Sequence, residues 1–116
     1  MAQGPTYLKI EQDAERIVAT IQLEELLYSM DVEAVHRQLE DLLHETPTST
    51  LILNLEHVTA VSSELIGSVL MLQRQAREGQ GSLRLCCLDE RVMHTFRLSR
   101  VDSALDLYPT LEAAQR

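Results

Sequence analysis

The chain has 116 residues, 45% of them hydrophobic, with 18 acidic against 10 basic side chains and a net charge of −8. That length suits one compact domain spanning residues 1–116, and the apolar content excludes a chain disordered throughout. So acidic a surface repels phosphate backbones and anionic membranes, which disfavours direct nucleic-acid binding and membrane insertion. With no Trp, one Phe and three Tyr, the core must be aliphatic, and there is little aromatic surface on which bases could stack.

In chain order, "TYLKIEQ" (6–12) alternates weakly, with Leu8 and Ile10 on one face and Lys9 and Glu11 on the other. "RIVATIQL" (16–23) alternates more clearly, with Ile17, Ala19, Ile21 and Leu23 sharing a face. A period of two argues for strands, and the short polar "DAE" between them predicts an antiparallel hairpin. Asp31 then looks like a helix N-cap, followed by Val32, Val35, Leu39, Leu42 and Leu43 at helical spacing. Pro47 blocks continuation of that helix.

"TLILNLEHV" (50–58) reads as a central strand, since Ile52 opposes Leu51, Leu53 and Leu55 and both faces are apolar. A helix follows through Leu65, Ile66, Val69, Leu70, Leu72 and Ala76, with Ser62 or Ser63 as its cap. Gly79 or Gly81 in "EGQGS" is expected to supply a left-handed helix end. "SLRLCCL" (82–88) is a further buried strand. Asp89 caps a helix through Val92, Met93 and Phe96, a short strand lies around Leu105 and Leu107, and Thr110 caps a last helix in "TLEAAQR". The order β-β-α-β-α-β-α-β-α predicts an α/β fold with a mixed, mostly parallel sheet and helices packed against it.

No enzyme is evident. The four glycines match neither a P-loop nor a dinucleotide fingerprint, and the four histidines have no metal-ligand spacing with Cys86 and Cys87. Those adjacent cysteines point to opposite faces of a strand, so they are expected to be reduced, with one of them in the core. The start "MAQGPTYLKIEQD" has no apolar signal core, and no apolar run approaches the roughly 20 residues that span a bilayer. The expected compartment is the cytoplasm, with no cofactor and no metal.

The stretch "TLILNLEHVTAVSSELIGSVLMLQRQAREG", the turn "EGQGSLRL" and the ending "VDSALDLYPTLEAA" resemble, in order, the STAS domain of anti-sigma factor antagonists and sulphate transporter tails. The resemblance runs over about residues 5–114. It implies a bacterial, non-catalytic regulatory module that binds a protein partner, an anti-sigma factor or a serine kinase, in a partner switch that controls transcription. In the family the kinase phosphorylates the first Ser after an Asp in the turn before the second helix. That position is Ser63 here, with Ser62 the second choice.

The implied partner interface is Ser62, Ser63, Glu64, Gly67 and Ser68. A phosphate there adds roughly −1.5 to −2 charges to a contact surface. The chain departs from the family at Ser62 and Asn54, where the family has Asp, and at Leu65, where it has Gly. Glu24 and Leu27 likewise replace a Gly and an Asp. These departures favour the alternative, a STAS scaffold or accessory subunit that is never phosphorylated, such as one of a signalling assembly or a membrane lipid transporter. A homo-oligomer is compatible with either reading.

Overall fold

A computed structural model describes residues 7–13 and 15–116. Its strands are β1 (Leu8–Gln12), β2 (Arg16–Ile21), β3 (Glu25–Leu26), β4 (Thr50–Asn54), β5 (Ala60–Val61), β6 (Ser82–Cys86) and β7 (Leu107–Tyr108). Its helices are α1 (Ser29–Glu45), α2 (Ser63–Glu78), α3 (Glu90–Leu98) and α4 (Leu111–Ala114). The main sheet runs β1-β2-β4-β6-β7, antiparallel only between β1 and β2. The predicted hairpin is present. Asp13 shapes its turn by accepting the N–H groups of Glu15 and Arg16, which hold its carboxyl below the usual range. Ala14 of that turn, and Thr6 of the first predicted strand, lie outside the described residues.

The alternation in the strands builds two unequal layers. Ile17, Ala19 and Ile21 of β2, Leu51 and Leu53 of β4, and Leu83 and Leu85 of β6 join one core with the apolar faces of α1, α2 and α3. On the opposite face Val18, Ile52 and Cys86 form a second cluster with Ala114 of α4. Each large aliphatic side chain so buried contributes roughly 1.5–3 kcal/mol relative to exposure. The short α4 is held at its C-terminal end by arginines from the sheet. Arg84 donates to the carbonyls of Ala114 (2.7 Å) and Arg116 (2.9 Å), and Arg16 donates to that of Gln115. These bonds satisfy carbonyls that a helix end leaves without partners.

Several expectations need correction. Asp31 does not cap the first helix. That helix begins at Ser29 with Tyr28 in the cap position and no side-chain cap. Asp31 sits inside the first turn, where its carboxylate accepts from the Tyr7 phenol and raises the phenol's pKa. Neither Gly79 nor Gly81 is left-handed; the residue with positive φ is Gln80, at 67°. The glycines are required by proximity instead. A Cβ on Gly81 would lie 2.4 Å from the Pro47 carbonyl oxygen and 2.6 Å from that of Ser49.

The last strand begins at Leu107, and Leu105 is buried just before it. Cys86 is fully buried, which pushes its thiol up to about 12, and Cys87 leaves the strand at a φ of 62°. Both are free thiols. The paired β3 and β5 were not expected; two residues each are too short to leave a periodic trace.

Candidate functional site

The parallel pairing of β3 with β5 (Leu26↔Val61) brings the chain at 24–30 alongside the turn that begins α2. The Ser62 N–H donates to the Leu26 carbonyl (3.0 Å), and the Thr59 N–H donates to that of Glu24 (2.7 Å). Ser29 Oγ then donates to Glu64 Oε1 at 2.6 Å, tying the start of α1 to the start of α2. The two helix N-termini therefore meet at one corner of the molecule, with the expected interface residues on it.

The two serines divide the work. Ser62 is the N-cap of α2, in extended backbone, and its Oγ accepts from the Leu65 N–H at 3.3 Å. Ser63 is the first helical residue and is exposed, as are Glu64 and Gly67, while Ser68 is half-buried. Ser63, Gly67 and Met71 follow at intervals of four and lie along one stripe of α2.

A polar seam joins α1 to α2. His36 Nδ1 lies 2.5 Å from Ser68 Oγ, and its Nε2 lies 3.3 Å from Glu40 Oε2. The Gln75 amide donates to the same Glu40 oxygen at 2.7 Å and, with His36, lowers the Glu40 pKa. Ser68, His36 and Glu40 are the residue types of a hydrolytic triad, but Ser68 stands in the second turn of α2. Beyond the first turn, backbone N–H groups are committed to helix bonds, so none near Ser68 is free to hold an oxyanion. The seam reads as a clasp between helices. Above it lies an open groove of about 320 Å³ whose lining includes Val32, Glu33, Glu64, Gly67 and Met71.

Four apolar side chains flank this corner in the open. Tyr28 is 69% exposed and Met30 78%, with Leu27 and Met71 also exposed. Sequence reasoning assigned none of the four to the interface; Leu27 entered it only as the replacement of a family Asp. Tyr28 and Met30 interrupt no period, and Met71 sits beside the apolar stripe of α2. Exposed Tyr and Met in a cluster are characteristic of interfaces. Among the described residues no group of three His, Cys, Asp or Glu side chains could hold a metal ion. None of the described helices is long and apolar enough to cross a membrane.

The family model of the STAS domain matches residues 9–114. Among solved structures, an anti-sigma-factor antagonist (STAS) domain protein from Planctomyces limnophilus has 17% identity over 92% of this chain and 92% of its own, with a TM-score of 0.80. An anti-sigma factor antagonist from Mycobacterium paratuberculosis has 16% identity over 93% and 89%, with a TM-score of 0.79. The anti-sigma factor antagonist SpoIIAA in its unphosphorylated form has 22% identity over 93% and 92%, with a TM-score of 0.76. The phosphorylated form of the same Bacillus protein has 21% identity over 94% and 97%, with a TM-score of 0.69. At these identities the likeness establishes the fold. A sequence comparison with curated proteins finds no match.

Proposed function

The chain belongs to the STAS domain family, and from that premise we propose that it is a non-catalytic regulatory module, an anti-sigma factor antagonist whose partner is an anti-sigma factor or a serine kinase. The partner docks on the corner formed by Ser63, Glu64, Gly67 and Ser68 of α2 and by Leu27, Tyr28 and Met30 beside it. Phosphorylation of Ser63 releases the partner.

The observation that carries this reading is the division between the serines. Ser62 is engaged in holding α2, whereas Ser63 presents its hydroxyl to solvent at a helix N-terminus. A phosphate there is compatible with the domain's own stability, because helix N-termini favour negative charge. In an apolar contact the same phosphate must lose its water, and that cost falls on the complex. SpoIIAA, which shares this fold, occurs in both phosphorylated and unphosphorylated forms.

The test combines affinity capture from the source cell with phosphate-affinity gels on native protein and on Ser63→Ala. A retarded species absent from Ser63→Ala, together with capture of a kinase-like or sigma-regulating partner by the unphosphorylated form, is the expected result. A partner captured without any retarded species, in several growth conditions, favours the scaffold or accessory subunit instead. One contact points that way. Asn54 stands at a family Asp position, and its amide is used internally, donating to Glu56 Oε1 at 3.0 Å.

A further inference from the structure

Gly67 is the fifth residue of the 16-residue α2 and is exposed. Glycine inside a helix weakens it, so a glycine there needs a reason. The usual reasons are absent. Its φ is not positive, and a Cβ built on it would meet no atom within 4 Å. By contrast, Gly79 and Gly81 are crowded by Pro47. Nothing within the described fold requires Gly67 to lack a side chain. It does line the α1–α2 groove.

The groove has a definite chemical character. Exposed Met71 gives it an apolar wall and the nearly fully buried Val32 lies at its base, while Glu33 and Glu64 stand along it. Arg37 also lines it, and Glu40 brings the carboxylates to three. The wider charge distribution has the same sign. Residues 1–64 hold 12 of the 18 acidic and three of the 10 basic side chains, a net charge of −9. Residues 65–116 hold six and seven, a net charge of +1. Glu24 and Glu25 at β3 are exposed beside the same corner.

We propose that the groove over Gly67 receives a lysine or arginine side chain from a basic, amphipathic surface of the protein partner. Its methylene stem lies on Val32 and Met71 and its charged head reaches Glu33 and Glu64. Long cationic side chains have this dual character, an apolar stem with a charged tip. Charge complementarity selects the occupant, and Gly67 provides the close approach. The inference rests on the proposed partner-binding role of this face and specifies the chemistry of the partner.

The probe is a short amphipathic helical peptide of leucine and arginine, with leucine–glutamine and leucine–glutamate counterparts. Binding to the full chain is followed by amide shifts and by titration at low and raised salt. The expected result is shifts centred on Val32, Gly67 and Met71 from the arginine peptide alone, with affinity that falls as salt is added.

Gly67→Met, which fills the groove, should weaken binding at least about tenfold, the scale of a central contact shut out of an interface. Circular dichroism confirms that the variant is folded. Glu33→Gln should weaken binding more than Glu11→Gln, since Glu11 lies on the far face of the sheet opposite Val18. Equal losses from these two substitutions, or equal binding of the glutamine peptide, would overturn the proposal. So would self-association of the chain through this groove, or undiminished binding by Gly67→Met. A cellular partner released by Tyr28→Ala but retained by Gly67→Met would leave the binding role standing and remove the groove proposal alone. A partner indifferent to both would remove the binding role as well.

Discussion

Ser62 and Ser63 are neighbours with opposite energetic roles, and substitution should separate them. Ser62 Oγ satisfies the Leu65 N–H, so Ser62→Ala should cost about 1 kcal/mol, the usual loss for a serine cap. Exposed Ser63 has no such duty, and Ser63→Ala should stay within about 0.5 kcal/mol of the parent. Urea denaturation of both variants reads the difference. The glycines separate in the same way. Gly67→Ala should stabilise by about 0.5–1 kcal/mol, because the helix gains and nothing collides. Gly81→Ala should destabilise by about 1–3 kcal/mol, because two backbone carbonyls lie within 2.6 Å of the new carbon. The sequence held the residue types for all of this but not the assignments. "SSE" permits a cap at either serine, and only the chain's path past Leu26 chooses Ser62. "EGQGS" announces a helix end, yet the glycines there answer to crowding by Pro47, more than 30 positions away, while Gln80 takes the left-handed turn.

At the scale of elements, the helix and strand periods were legible wherever burial was one-sided or complete. The stripe Val32, Val35, Leu39, Leu43 and the doubly apolar β4 follow directly from packing against a sheet. The start of α1 was not legible, because tertiary contacts with Glu64 and Tyr7 occupy the polar side chains that would ordinarily mark a cap. Where the cap is local, the sequence suffices. Asp89 accepts from the Arg91 N–H at 2.8 Å, as its position before α3 predicts. The Arg91 guanidinium and that N–H lower the Asp89 carboxyl to about 2, from an ordinary 3.8. A carboxyl depressed in the folded state stabilises above its unfolded pKa and loses that contribution as pH falls through the folded value. The anchoring of α3 should therefore be complete above about pH 4 and decline towards pH 2. Loss of amide protection in α3 across that window, taken relative to the intrinsic exchange rate at each pH and absent from Asp89→Asn, is the expected signature; identical protection profiles for the two proteins would refute it.

Over the whole molecule, the fold gathers on one corner what the sequence spreads across 45 residues, from Leu27 to Met71. The apolar side chains of Leu27, Tyr28 and Met30 arrive through a two-residue strand, and Met71 arrives along α2. No linear motif unites them, so only the part of the face within "SSELIGS" could be read in advance. Two kinds of charge then act on that face, and binding kinetics should tell them apart. Glu24 and Glu25 lie at its rim, in water, where charges chiefly alter the rate of encounter. Glu24→Gln with Glu25→Gln should lower the association rate with the cellular partner, an effect that shrinks as salt is added, and leave dissociation nearly unchanged. In the proposed complex a phosphate on Ser63 would lie inside the contact. It adds negative charge that by itself would draw a basic partner in, but it also needs water that an apolar contact withholds. Desolvation wins if Ser63 is covered in the complex, so the phosphorylated protein should dissociate faster while its own thermal stability is unchanged, α2 tolerating the charge at its N-terminus. Surface plasmon resonance on the two forms decides the sign. Slower dissociation of the phosphorylated form would mean that the partner carries a built phosphate site, and the switch would then run in the opposite direction, with phosphorylation recruiting the partner.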